Sequence, residues 1–443
     1  MHRTPFRRLA NATAAFLSQS RSLPAQERVY RTNFVLHVMN GAFGGLGDAL
    51  TGSALVMTAF LSQLTTSNLL IALLPPLRDA GWYLPQFFMA SLMDRTRLKI
   101  SAYRASTVFR MAAWLAMVVS IFTIQDHHLL LVAVFACTIA ISLLAGFAAL
   151  PFLMLTAKVI PPDRRGLVFG LRQLAGGLLG IAAGGAVALI LGGGAGLTFP
   201  HNYALVLAGG ASGYALSYIV LGFMHEEPDE VAAQTPPMLA NLREAWAIAR
   251  TDQQYQRYIV MRVALLVAAA CVPFLTVYAK RTLAVSDAFI GTLISVTLSS
   301  SLLSNMAWAR VSDRRGNRLV MIVAAIMGAT FCGLAALTTA FSAEALNSTA
   351  ARLTLLALFA VSGAMVAGIN LASNPLMIEI APPGRQSLYI GLSNSILGVV
   401  LLLTSLVGLI VDHFGFAGLF LFSALAFIVA LERLAGMREP RVC

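Results

Sequence analysis

Ala90-Ser-Leu-Met-Asp94-Arg95-Thr-Arg97-Leu-Lys99 is written a second time as Ala309-Arg310-Val-Ser-Asp313-Arg314-Arg315-Gly316-Asn317-Arg318. Each copy follows one long apolar stretch and precedes another, and each packs an acid, an arginine and further cations into a short connection. Asp94 and Asp313 stand 219 residues apart, about half of the 443-residue chain. A second pair keeps the period: Pro161-Pro162 with Arg164 and Gly170 aligns with Pro382-Pro383, Arg385 and Gly391 at an offset of 221. Self-similarity at a fixed offset marks a duplicated unit. The chain is two related halves.

Composition gives the class. Hydrophobic residues make up 58% of the chain and charged residues 11%, and the mean hydropathy is +0.78. Soluble domains carry about 25% charged residues. Apolar runs long enough to cross a hydrocarbon core of about 30 Å recur throughout. The net charge of +12 does not mark a nucleic-acid binder, because the cations sit where topology needs them. Arg3, Arg7, Arg8, Arg21, Arg28 and Arg31 precede the first span; Arg95, Arg97, Lys99 and Arg104 follow the second. Lys158, Arg164, Arg165 and Arg172 follow the fourth, while the connections after spans one, three and five carry none. That is the positive-inside pattern of a multi-pass membrane protein. Both termini are expected in the cytoplasm, and the plasma (inner) membrane is the expected location. Cys137, Cys271, Cys332 and Cys443 have no metal or disulfide spacing. No cofactor or metal is expected.

The expected order is a cytoplasmic tail over 1–31, a six-helix bundle over 32–223, a cytoplasmic linker over 224–257, a second bundle over 258–434 and a tail over 435–443. Arg7-Arg8 before an apolar stretch has the look of a signal peptide. Asn11 and Thr13 interrupt that run, however, and cations continue to Arg31, which favours a tail. Spans 1 to 6 are expected near 33–61, 68–92, 100–124, 129–156, 166–191 and 203–223. Spans 7 to 12 follow near 258–279, 289–310, 319–340, 353–380, 387–411 and 416–434.

These features resemble the major facilitator superfamily. The resemblance rests on the acid-arginine connections after spans 2 and 8, the Pro-Pro…Arg…Gly connections after spans 4 and 10, and the charged central linker. It implies an all-α fold of 12 transmembrane helices in two pseudo-symmetric six-helix bundles. It further implies spans 1, 4, 7 and 10 around a central cavity, and a transporter, not an enzyme. The second copy lies close to the family's D-R-x-G-R-[KR] pattern. The first departs from it, with Arg97 where glycine is usual, and Ala90 and Ala309 replace the leading glycine. By resemblance, Asp94 and Arg95, with Asp313, Arg314, Gly316 and Arg318, form a cytoplasmic gate. Asp94 would meet the start of span 11 near Tyr389, and Asp313 the start of span 5 near Gly166.

Ionisable residues inside a membrane are costly and point to function. Asp48 lies in span 1, and Arg78 and Asp79 in span 2. Counting from the turn between these spans puts Asp48 and Arg78 both roughly 20–25 Å below it, level with each other. Either the group changes protonation during transport, with Arg78 tuning it or binding an anion, or Asp48 and Arg78 form a permanent pair. Arg110 in span 3 either joins this network or snorkels to the interface. The second half does not repeat these charges. It offers hydroxyls on span 8 from Ser295 to Ser304, with Asn305, and the amides Asn370, Asn374 and Asn394. The span 8 hydroxyls read first as packing groups. The glycines of span 5, Gly176, Gly177, Gly180, Gly184 and Gly185, likewise read as close helix packing.

The expected function is secondary active transport of a small molecule by rocker-switch alternating access, with proton coupling through Asp48 and Asp79. A lipid or drug exporter of the same fold and a non-transporting membrane sensor are the alternatives. The expected partners are the small-molecule substrate, a coupling proton or ion and the bilayer; the expected state is a monomer.

Overall fold

Span 1 is a broken helix. Ala25–Leu50 ends at a non-helical Gly52 (φ −52°, ψ 120°), and the chain resumes as one wide turn over Ser53–Met57 and a helix over Thr58–Leu64. The computed structural model describes residues 25–83, 96–228, 250–340, 348–382 and 386–437, with Pro85, Met89 and Ala247. Span 2 is Asn68–Tyr83, span 3 Lys99–Thr123, span 4 His127–Val159, span 5 Pro162–Leu189 and span 6 His201–Gly222. Span 7 is broken like span 1, into Gln253–Ala269 and Val272–Arg281. Spans 8, 9 and 10 are Asp287–Arg315, Asn317–Ala340 and Ser348–Ile380.

Spans 11 and 12 follow one another closely. Gln386–Leu403 runs through a tight turn at Thr404–Leu406 into Val407–Ala435, which is interrupted at Gly415 (φ 68°). A positive φ is accessible to glycine at little cost, so Gly415 reverses the chain between the last two spans. Among the described residues ten stretches are long and apolar enough to cross a membrane, the last of them running over both final spans, Leu392–Ala435. Asn68–Tyr83, 16 residues long, is too short to count among them. There is no strand among the described residues.

Several expected boundaries move, and two of the shifts have a local cause. Span 1 begins at Ala25, so Arg28 and Arg31 ride on the helix, Arg31 bonded to Glu27 one turn earlier. Span 7 begins at Gln253 rather than 258, because the Asp252 carboxylate caps it through the amides of Gln254 and Tyr255.

The halves repeat each other in packing. Span 4 packs on spans 2 and 3 and span 6 on spans 1 and 3; span 10 packs on 8 and 9 and span 12 on 7 and 9. The repetition reaches the helix ends. Arg104 donates to the Gly222 carbonyl at the end of span 6, and Arg318 to the Leu434 and Ala435 carbonyls at the end of span 12. Cations there satisfy orphan carbonyls and complement the helix dipole. At the other polarity, the buried Glu226 carboxylate accepts the amides of Lys99 and Ile100 at the start of span 3 and pairs with Lys158 at 3.1 Å. The beginning of the linker is thereby tied into the first half.

The halves meet through spans 5 and 8 and through spans 2 and 11. Glycine permits this: a side chain at Gly184 would strike Gly291 and Ser295 of span 8, and one at Gly408 would strike Asn68. The end of the molecule away from the termini carries a polar latch between halves. Arg281 donates to Asn68 and to the Thr65 carbonyl, and Asn68 donates to Asp412. Asp287 is paired with Lys280 and is met by Gln63 and Tyr203 of the first half. Large apolar side chains such as Val108, Phe109, Leu115, Leu425 and Ile428 face outward, as a lipid solvent requires. The molecule is a multi-pass membrane protein.

Candidate functional site

The break in span 1 makes the site. Ending a helix at Leu50 leaves backbone carbonyls without intrahelical partners, and Arg78 of span 2 fills one of them: its Nη1 donates to the Thr51 carbonyl at 2.7 Å. Its Nη2 donates to Asp48 Oδ1 at 3.1 Å and to the Tyr214 hydroxyl at 2.9 Å. Tyr214 in turn donates to the same Asp48 oxygen at 2.5 Å. Arg78 is thus committed to the helix end and the carboxylate, which leaves it poorly placed to hold an external anion. Asp48 is held through one oxygen only. Its side chain remains 67% exposed, and Oδ2 accepts no hydrogen bond from a described residue.

Arg110 reaches inward. Its guanidinium lies 5.3 Å from the ring centroids of both Tyr214 and Tyr218, an arrangement worth about 0.5–2 kcal/mol. It braces the Asp48 cluster from behind through Tyr214. Asp79 stands apart from Arg78 although adjacent in sequence. It lies in a cavity of about 230 Å³ with Pro75 and Pro76 on its own helix and Leu266, Ala269, Phe274, Val366 and Leu401 from the second half. Asp79 makes no ion pair or hydrogen bond with a described residue. Asp79 thus stands outside the hydrogen-bonded cluster of Asp48, Arg78 and Tyr214, though within electrostatic reach of Arg78 and Asp48.

Asp48 lines a different cavity, of about 450 Å³, between spans 1, 5 and 8. Its other polar walls are Arg172, Gln173, Ser301 and Asn305. Arg172, grouped above with the cations after span 4 although it falls within the expected span 5, lies well inside the membrane: span 5 begins at Pro162, which puts Arg172 ten residues, roughly 15 Å, into the helix. Its Nη1 donates its two hydrogens to the His37 carbonyl at 2.7 Å and to Asn40 Oδ1 at 2.6 Å and shares one of them with His37 Nδ1 at 3.0 Å. The buried Thr156 hydroxyl donates to the Phe152 carbonyl and so must accept from His37 Nε2, 2.7 Å away. That assigns His37 as the neutral Nε2–H tautomer, with Nδ1 receiving from the arginine.

The second half is less bare of charge than expected. Arg262, half-buried in span 7, donates to Ser373 Oγ of span 10 at 2.6 Å. Two span 8 hydroxyls bond to neighbouring helices, Ser295 to the Ile181 carbonyl of span 5 and Ser300 to the Ala360 carbonyl of span 10, while Ser301 lines the cavity beside Asp48. Asn370 and Asn374 are exposed one turn apart on span 10 and Asn394 is half-buried in span 11; none of the three lines either cavity. Of the expected gate, Asp94 and Arg95 lie outside the described residues. Asp313 and Arg314 are exposed at the end of span 8, Gly316 terminates it with φ 87°, and Arg318 caps span 12 within its own half.

Tyr214 and Arg172 are the residues sequence reasoning missed. A signal for the first existed: Tyr214 and Tyr218, one turn apart in an apolar span, match the i, i+4 spacing of a single helix face.

The model of the Major Facilitator Superfamily matches residues 258–441, most of the second half. No curated protein matches the chain by sequence. Among solved structures, a bacterial homologue of the iron transporter ferroportin in its inward-facing state is similar at TM-score 0.62 and 13% identity, over 92% of this chain and 99% of that one. A nucleoside transporter is similar at TM-score 0.66 and 15% identity, over 90% and 99%. A D-xylose–proton symporter is similar at TM-score 0.68 and 14% identity, over 93% and 98%. At these identities the likeness is one of fold, and it extends over both halves.

Proposed function

Taking the major facilitator superfamily as this chain's family, we propose that it is a secondary active transporter of a small molecule, working by rocker-switch alternating access and coupled to protons. The proton is carried by Asp79, while Asp48 belongs to the substrate cavity. The observation that carries this division is the unpartnered Asp79 carboxylate in an apolar cavity whose far wall belongs to the second half. Rocking the halves changes what that carboxylate faces, so its proton affinity changes with conformation. Asp48 is held in place by Arg78 and Tyr214. The latch around Asp287 and Arg281 closes one end of the path. The connections bearing Asp94, Arg95, Asp313 and Arg314 gate the other, on the cytoplasmic side with both termini. The protein acts as a monomer in the plasma (inner) membrane.

The test is flux in proteoliposomes over a panel of metabolites and drugs. Asp79→Asn is expected to abolish accumulation driven by an imposed pH gradient, a loss of 30-fold or more, and to keep counterflow exchange within about threefold of the parent, roughly 0.7 kcal/mol. Gradient-driven accumulation that survives Asp79→Asn sinks the assignment.

A further inference from the structure

Arg172 brings a charge into the substrate cavity that helix packing does not use up. Only its Nη1 is engaged, by His37 and Asn40; Nε and Nη2 donate to no described residue. The guanidinium lies over the Phe152 ring, 5.0 Å from its centroid, which fixes its plane. At the other end of the same cavity Asp48 offers its free Oδ2. The floor between them is Gly41, Gly44 and Gly45 of span 1. A side chain at Gly41 would collide with the stem of Arg172, so the arginine crosses span 1 at that level and its guanidinium reaches on to His37 and Asn40. Those residues precede Asp48 by eleven and eight positions, roughly 12–16 Å along the helix. Ser301 and Asn305 face this floor from span 8, in the other half.

A cavity with one free cationic edge and one free anionic edge, and only neutral groups otherwise, selects a ligand carrying both charges. We propose that it binds a zwitterionic small molecule. The ligand's carboxylate is taken by the free N–H edge of Arg172 and its ammonium by Asp48 Oδ2. The neutral hydroxyl and amide of Ser301 and Asn305 touch its middle and couple it to the second half. Two hydrogen bonds of about 2.8 Å each leave roughly 6–10 Å between the ligand's charges. That excludes α-amino acids, whose two charged groups share one carbon, and fits a chain with its charges at opposite ends. An arginine fork suits a carboxylate better than a lysine point charge would. The inference rests on the transporter reading for its purpose, and on the cavity alone for its chemistry.

The experiment is equilibrium binding to the purified full-length protein in lipid nanodiscs, with 5-aminopentanoate, pentanoate, pentylamine and glycine as probes. The expected result is binding of 5-aminopentanoate at least tenfold tighter than any of the other three. Arg172→Gln should cost it tenfold or more and leave pentylamine unchanged; Asp48→Asn should cost it similarly and leave pentanoate unchanged. Because Arg172 also anchors His37 and Asn40, Gln173→Glu serves as a second variant that leaves that network intact. It places a carboxylate beside the guanidinium and should weaken 5-aminopentanoate about fivefold or more. Equal binding of the four probes, binding of none, or no effect of Gln173→Glu on 5-aminopentanoate would overturn the proposal. Zwitterion-selective binding without gradient-driven flux leaves this inference standing and defeats the transport reading. Flux confined to uncharged or singly charged solutes does the reverse.

Discussion

Asp48 and Asp79 are both carboxylates of the first half, both facing cavities closed by the second half, yet one is tied and the other loose. Asp48 shares an arginine and a tyrosine that are themselves fixed, Arg78 by the Thr51 carbonyl and Tyr214 by stacking on Trp114 at 5.3 Å. Asp79 has apolar neighbours and two prolines. A tied carboxylate gives geometry, because its position survives the changes around it. A loose one gives chemistry, because taking up a proton breaks no ion pair. Neighbouring residues on one helix can divide these roles, since consecutive side chains point about 100° apart around its axis. Arg78 turns toward Asp48 and Asp79 turns away.

The comparison breaks most visibly if the tie is cut. Arg78→Met removes three hydrogen bonds and leaves the Asp48 charge without its arginine and the Thr51 carbonyl unmatched, although Asp48 keeps the Tyr214 hydroxyl. The expected loss is about 2 kcal/mol of stability, at the modest end for charged bonds because Asp48 remains open to the cavity. Thermal unfolding in detergent measures it. Adding Asp48→Asn to Arg78→Met should recover part of that loss, since no unpaired charge then remains. A double variant as unstable as the sum of the singles would mean that the two residues act independently.

Tyr214→Phe loosens the same tie more gently. It deletes the hydroxyl between Arg78 and Asp48 and keeps the ring beneath Arg110, so the cation–π contact persists. About 1 kcal/mol of destabilisation is expected. A larger loss in thermal unfolding would shift the weight of the cluster from the hydrogen bond to the ring packing.

Much of this was legible in the sequence, and the reason is symmetry and counting. The repeated Asp94 and Asp313 connections carry the two halves, and distance from the Ser62–Ser67 turn puts Asp48 level with Arg78 without any coordinates. What stayed hidden depended on facts that counting cannot supply. The helix of span 1 breaks at Thr51–Gly52, and only the break explains why Arg78 has a carbonyl to fill. Arg172 falls inside the expected span 5 but reads as topology until packing against span 1 shows it bonded to His37 and Asn40. Tyr214 reads as core, since an aromatic in an apolar span is ordinarily packing. Arg262 sits near a span end, where a cation is unremarkable. The divergence of Arg78 and Asp79 follows from helix geometry, but which of them faces Asp48 is set by the packing of spans 1, 2 and 6.

The smallest expected effect is the one that sharpens the comparison most. Asp79→Asn should change stability by no more than about 0.5 kcal/mol, because Asp79 is exposed and its loss orphans no hydrogen-bond partner among the described residues. The same substitution is expected to abolish gradient-driven accumulation. A residue whose loss is silent in thermal unfolding and decisive in coupling is doing chemistry rather than holding helices together. Asp48→Asn should give the opposite balance, a measurable loss of stability from the broken pair with Arg78 and exchange altered through ligand affinity. If Asp79→Asn instead costs 2 kcal/mol or more, Asp79 has a structural partner in another conformation. The proton would then have to be sought at a group that the rocking halves expose in turn.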